Sequence, residues 1–180
     1  TPKVVSAPSS FPMPAVTVPA GLTCSDFTVT GQTTVTLSPT GGPLGNGTYC
    51  YQDLTVEGSG TLAASGSVTV YLTGQLTAKG NSVVGVSSNP GHMVFLMSPT
   101  SSGTIKDGTL TGSTEFYGAI YGPTATLNIT GNAEIFGSVI AKKVDVSGSA
   151  EIHYDAALTD VTQVSNQYQA SLLSWREVAG

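Results

Sequence analysis

The sequence predicts an all-β chain wound as a right-handed parallel β-helix, a solenoid, with a short C-terminal helix. Three observations predict it. Lys and Arg number six and Asp and Glu eleven in a chain of 180 residues, well under the roughly one quarter charged that is usual in soluble domains, and Thr, Ser and Gly take their place. Thr and Val favour strands while Gly favours tight turns, and from Thr23 to about Ile152 short β-like runs alternate with Gly turns. Most tellingly, one seven-residue phrase recurs three times, as Gly112-Ser-Thr-Glu-Phe-Tyr-Gly118, Gly131-Asn-Ala-Glu-Ile-Phe-Gly137 and Gly148-Ser-Ala-Glu-Ile-His-Tyr154.

The chain divides into three parts. Residues 1–22 hold five of the ten prolines, Pro2, Pro8, Pro12, Pro14 and Pro19. Such a stretch reads as an extended lead-in. Residues 23–154 form the expected solenoid, with strands at Thr33–Leu37, Asp53–Val56, Ser67–Leu72, Met93–Met97 and Leu127–Thr130. Upstream of the clear repeats the rhythm is looser, with Gly58, Gly66, Gly74 and Gly80 punctuating Val and Leu pairs. About seven coils fit between Thr23 and Asp155, a rod on the order of 30–35 Å at the usual strand spacing. Residues 155–180 change character. Asp155 can cap a helix, and Leu158, Val161, Val164 or Ser165, and Tyr168 follow at near-helical spacing. Leu172–Val178 reads as a strand, and the whole tail is expected to cap one flank or end. Handedness follows from the crossover rule for parallel strands.

The repeats start at Gly112, Gly131 and Gly148, a period too short for a βα unit or a propeller blade. The second interval is two residues shorter than the first. That difference is expected in a connecting turn, where solenoids tolerate it. A strand period of two then assigns faces. Thr114, Phe116, Ile120, Ala133, Ile135, Val139, Ala150 and Ile152 should point inward, with Leu127, Ile129, Val144 and Val146 as a second inward stack. Glu115, Glu134 and Glu151 should point outward, as should Tyr117, Phe136 and His153.

The glutamate row is the sharpest candidate for chemistry. Carboxylates about 5 Å apart repel by roughly 0.8 kcal/mol per neighbour in water. One reading is cation binding, Ca²⁺ preferring such oxygen ligands. The plainer reading is a solvated face screened by water and salt, and it is favoured because the turns carry Ser, Asn and Gly rather than Asp. The row Tyr117, Phe136 and His153 is either a contact face for sugars or a neighbouring subunit, or ordinary packing under another segment.

Cys24 and Cys50 are expected to form a disulfide, which a charge-poor, extracellular-looking composition favours over two buried thiols. Enzyme signatures are missing. Arg176 is the only arginine, His92 and His153 are the only histidines, and no Ser lies in a G-x-S-x-G context. No metal set or catalytic residue emerges, and a His153/Asp155 pair reads more readily as a capping arrangement. Asn46-Gly-Thr and Asn128-Ile-Thr match the glycosylation sequon, a match common by chance in Thr-rich chains. Thr28-Val-Thr30 and Thr34-Val-Thr36 suggest an ice-binding face, but later coils carry Glu, Asn and Asp. Net charge is −5 with Lys142-Lys143 the only basic pair, which disfavours nucleic acid. No run of about 18 apolar residues is present to span a membrane. The chain begins at Thr1 without a secretory leader, so a processed product is expected.

The run from Phe116 through Gly118-Ala-Ile-Tyr-Gly-Pro-Thr-Ala-Thr-Leu-Asn-Ile-Thr-Gly-Asn-Ala-Glu-Ile-Phe-Gly137 to Lys142, then Gly148-Ser-Ala-Glu-Ile-His-Tyr154 and the closing Ser174-Trp-Arg-Glu177, resembles the C-terminal domain of PilX-type, pilus-associated surface proteins. The resemblance covers about residues 48–178. It implies a β-helical ectodomain on a type IV pilin-like or related secreted protein, with no catalytic residues; no cofactor is expected. Pilin-like proteins begin with a long apolar helix, whereas this chain begins Pro-rich. Either that helix has been removed or the subunits assemble differently, with residues 4–18 adding as a strand to a neighbour. The function expected is a noncatalytic, extracellular structural or adhesive component of a pilus or surface filament. Its partners would be itself, other pilus subunits or a surface glycan. The alternative is a secreted carbohydrate-binding or carbohydrate-cleaving β-helix.

Overall fold

The computed structural model describes residues 13–98 and 108–155. Twelve strands appear among them: β1 Ser25–Val29, β2 Thr34–Leu37, β3 Thr48–Val56, β4 Thr61–Ala64, β5 Val68–Leu72, β6 Leu76–Gly80, β7 Val83–Val84, β8 Met93–Met97, β9 Gly108–Gly112, β10 Glu115–Ile129, β11 Glu134–Val146 and β12 Glu151–Tyr154. A 3₁₀ turn, Pro90–His92, precedes β8. The chain is all-β with a many-stranded parallel sheet, and no α-helix occurs among the described residues. The helix expected from Asp155 onward, and the strand at Leu172–Val178, lie outside the described residues. Of the expected strands, Met93–Met97 has the bounds read from the sequence. Asp53–Val56 falls at the end of the longer β3, and Leu127–Thr130 overlaps the end of the longer β10, which stops at Ile129.

Every strand pairing among the described residues is parallel, and the pairings fall into three stacks. Stack one runs β1, the end of β3, β6, β9, the end of β10 and the end of β11. Stack two runs β2, β4, β7, the start of β10, the start of β11 and β12. Stack three runs the start of β3, β5, β8, the middle of β10 and the middle of β11. From β1 the chain visits stacks one, two and three in that order, again and again. The longest stacks are six layers deep among the described residues, against the seven coils expected.

Along stack two, Thr34 lies beside Thr61, Thr61 beside Val83, Val83 beside Glu115, Glu115 beside Glu134 and Glu134 beside Glu151. The last two steps are those read from the repeats. The two-residue difference between them arises between Gly122 and Thr126, inside the span of β10, and not in a turn between strands. Burial alternates through β10 on even positions up to Gly122 and on odd positions from Ala125.

A column of glycines makes the corner between stacks one and two. Gly31, Gly58, Gly80, Gly112, Gly131 and Gly148 all have φ between +67° and +82°. The amide after each donates to the glycine carbonyl one layer below: Ser59 to Gly31, Asn81 to Gly58, Ser113 to Gly80, Asn132 to Gly112 and Ser149 to Gly131, at 2.7–2.9 Å. A Cβ on Gly80, Gly112 or Gly148 would stand 2.8 Å from that carbonyl oxygen. Both the left-handed conformation and the close approach therefore select glycine.

The core is the stacked inward columns. Thr114, Phe116, Ile120, Leu127, Ile129, Ala133 and Ile135 are buried, as their period predicts, and Phe95 packs against Phe116 with ring centroids 5.0 Å apart. Burying each Leu, Ile or Phe side chain contributes about 1.5–3 kcal/mol. Val139 and Ala150 are only half-buried. Val144, Val146 and Ile152 are exposed. They occupy the inward columns by register, yet among the described residues no further layer covers them.

Candidate functional site

The outward face of stack two carries the residues singled out by sequence, and the register brings them together. Glu115, Glu134 and Glu151 stand directly above one another, and so do Tyr117, Phe136 and His153 two positions along. Strand alternation places both rows on the same face. Tyr117 and Phe136 stack with centroids 4.9 Å apart and planes 12° from parallel. Phe136 and His153 stack at 4.7 Å and 13°. The two rows are tied at each end. The Tyr117 hydroxyl donates to Glu115 Oε2 at 2.9 Å, and His153 Nε2 lies 3.1 Å from Glu151 Oε2. Phe136 offers Glu134 no polar atom. Burial, the bond to Glu115 and the charges of Glu115 and Glu134 together push the Tyr117 hydroxyl up to about 12.

This geometry restricts what the face can do. Ca²⁺ takes six to eight oxygens converging on one point. Here three carboxylates stand in line, and two of them are engaged by Tyr117 and His153, so the row forms no such cage. No group of three or more His, Cys, Asp or Glu suited to a metal occurs among the described residues. A sugar stacking on aromatic rings needs a free ring face. In this ladder both faces of Phe136 are covered, and only ring edges and the two terminal faces remain.

Stack three carries an outward feature that sequence reading missed. Cys50, Tyr71, Leu96, Tyr121 and Ile140 form one outward column, an apolar surface where a polar one is expected. The lead-in lies against it. Cys24 is disulfide-bonded to Cys50 with Cα atoms 4.7 Å apart, and the Tyr121 hydroxyl donates to the Pro14 carbonyl at 2.6 Å. Val16 and Val18 are half-buried, alternating with exposed Ala15 and Thr17. Burial raises the Tyr71 and Tyr121 hydroxyls above their usual range. Residues 13–18 take part in no strand pairing, and they lie on their own chain's sheet. A signal existed in the apolar residues at outward phase, but Leu96 and Tyr121 read equally well as core.

The remaining polar residues act locally. Stack one presents Thr28, Thr55, Thr77, Asn128 and Asp145 in one column. Asp26 Oδ1 accepts from the Asp53 amide at 3.2 Å and Asp53 Oδ1 from the Gln75 amide at 2.8 Å, one layer to the next. Lys79 pairs with Glu57 and Lys143 with Asp145, each at 2.8 Å. His92 Nε2 lies 3.0 Å from Asn89 Nδ2 in the 3₁₀ turn, an element apart from His153. Asn46 is exposed and Asn128 half-buried.

Fold and faces together define an all-β, disulfide-bonded protein built on a deep parallel sheet. A family model described as a domain of unknown function, DUF7305, matches residues 13–161, and the chain belongs to that family. No curated protein and no solved structure matches it.

Proposed function

We propose that the chain is a right-handed parallel β-helix serving as a noncatalytic, extracellular structural or adhesive module of a pilus or surface filament. The cyclic order of the three stacks supports the β-helix, since a chain visiting parallel strands one, two, three in turn winds as a coil. The crossover rule supports the right hand. One observation carries the functional reading. Among the described residues, Tyr117, His153, Lys79 and Lys143 each meet a carboxylate, Phe136 is covered by the ring on either side, and these groups do not converge on a shared point. Such an arrangement stiffens a rod and offers no constellation there for acid–base or nucleophilic work.

The disulfide supports an oxidising, extracellular setting, and the resemblance to pilus-associated proteins supports the filament. Electron microscopy of native material, with antibody against the chain, should show label along or at the tip of filaments. A glycan array paired with a reducing-sugar assay tests the alternative, and turnover of any polysaccharide overturns the noncatalytic reading.

A further inference from the structure

The outward face of stack two changes character halfway along. In its first three layers both outward columns are short. One holds Thr34, Thr61 and Val83, and the other Thr36, Ala63 and then Gly85, which has no side chain. Gly85 belongs to this face because it follows Val84, the partner of Phe116, and a Cβ there would meet the Tyr117 carbonyl. In the last three layers the same two columns carry Glu115, Glu134 and Glu151, and Tyr117, Phe136 and His153. The rings stack on one another along the rod, so they stand out from the sheet edge-on. Below them the face drops to a shelf, and ladder and shelf have the same depth of three layers. Thr34 and Thr36 at one end are exposed, as are Glu134 and His153 at the other.

We propose that this face binds the same face of a second copy, with the two rods antiparallel. A two-fold axis lying in the face, parallel to the strands and between the third and fourth layers, keeps each column opposite itself and reverses the order of the layers. His153 of one copy then faces Thr36 of the other, Phe136 faces Ala63 and Tyr117 faces Gly85. Each ring meets a small residue, and each contact is made twice, as a two-fold interface requires. In the neighbouring column Glu151 faces Thr34 and Glu134 faces Thr61, hydroxyls that donate to carboxylates, and no glutamate faces a glutamate. Glu134 gains most, because Phe136 beside it offers no polar atom. The other face-to-face pairing, about an axis along the rod, sets equal layers opposite each other. It gathers both glutamate rows into the same three layers, where like charges repel, and leaves the shelves apart. Six layers of four-residue strands span about 29 Å by 13 Å, at the small end of specific interfaces, so the pair is weak and reversible.

Sedimentation velocity on the full-length chain, from low to high micromolar concentration, should show a monomer giving way to a dimer. Ala63→Glu, which sets a carboxylate against Phe136 and beside Glu134 of the other copy, should weaken the dimer about tenfold or more. Thr28→Glu, on the exposed outward face of stack one, should leave it unchanged. The arrangement is read by cross-linking. Thr61→Cys and Glu134→Cys chains, mixed and treated with a short bismaleimide, should join to each other, and neither should join to itself. The native cysteines are bonded together and do not compete. A monomer at every concentration overturns the proposal, since the ring edges are then left to a glycan or to packing within the chain. So does a dimer that Ala63→Glu leaves intact, and so does cross-linking of Glu134→Cys to itself, which would set equal layers together. Should Ala63→Glu fail to fold, the concentration series and the cross-linked pair still decide. The test is independent of whether the chain is found in filaments.

Discussion

Phe136 lies sandwiched between Tyr117 and His153, its ring 4.9 Å from one and 4.7 Å from the other and nearly parallel to both. A side chain on the outside of a sheet therefore has both ring faces covered. Aromatic pairs contribute about 0.5–1.5 kcal/mol each beyond area burial, so Phe136→Ala removes two such terms at once. Chemical denaturation should report a loss of about 1–3 kcal/mol. Tyr117→Ala and His153→Ala, each ending only one stack, should cost less. Equal losses at all three positions would show that the ladder is not the unit of stabilisation.

The glutamate row beside it should act in the opposite sense. Glu134 has a carboxylate above and below and no polar partner from Phe136. Glu134→Gln should raise stability by about 0.5–1.5 kcal/mol at low ionic strength, and the gain should shrink as salt screens the row. Thermal melts with and without Ca²⁺ serve as the cross-check. A Ca²⁺-dependent rise in melting temperature that Glu134→Gln abolishes would restore the cation-binding reading.

The glycine column allows strain and crowding to be separated. Gly31 and Gly131 share the left-handed conformation, at φ +67° and +74°. At Gly31 a Cβ would meet nothing within 4 Å, whereas at Gly131 it would stand 3.0 Å from the Gly112 amide nitrogen. Gly31→Ala should cost about 1–2 kcal/mol for the conformation alone. Gly131→Ala should cost measurably more, because the backbone below must also move. Equal losses in equilibrium unfolding would mean that the layers give way freely.

The same column explains what was legible in the sequence. Between Gly112 and Tyr154 successive layers follow with little insertion, so equivalent residues recur at nearly constant spacing and the phrase is visible. Upstream, Ser38–Gly47 and Gly85–His92 intervene between strands, and the segment between β8 and β9 stretches the step from Val83 to Glu115. The corner chemistry persists there at Gly31, Gly58 and Gly80, but its period is lost. Gly66 and Gly74 blur it further, because a Cβ at the first would meet Pro39 and at the second Asp53 and the Gln52 carbonyl, so neither belongs to the column. Alternation found the outward face of stack two because polar and apolar residues alternate there. It failed on stack three, whose outward column is apolar. The partner of Tyr121, Pro14, lies 107 residues away, a contact no local pattern encodes.

That long-range contact makes the disulfide more than a local staple. Cys24 and Cys50 are 26 residues apart, and closing such a loop stabilises by about 3–4 kcal/mol on the loop-entropy argument. The Cys24→Ala, Cys50→Ala double variant should lose about that much in denaturant titrations. It should also become sensitive to protease within residues 13–23, where the strap over Tyr71, Leu96 and Tyr121 is then held by noncovalent contacts alone. Tyr121→Phe should produce the second effect with little of the first. Full protease resistance in the double variant would mean that the strap is seated without its covalent tie.

High pH should unfold the chain through its tyrosines. Burial, aided by the neighbouring Tyr49, pushes the Tyr51 hydroxyl up to about 12, and Tyr117 also stands at about 12, both against an ordinary value of 10.0. The folded-state values are raised, so in that interval the unfolded chain has already released protons that the folded chain keeps. Stability from these groups is fully present below pH 10, falls as the unfolded state ionises, and is lost by about pH 12. Phenolate absorbance should rise in two stages. Accessible tyrosines ionise near the ordinary value, and a second rise coincides with loss of the β signal. Tyr51→Phe should remove part of the second stage and shift the alkaline unfolding midpoint upward. A single smooth rise centred near 10, with the fold intact above it, would place Tyr51 and Tyr117 in contact with solvent.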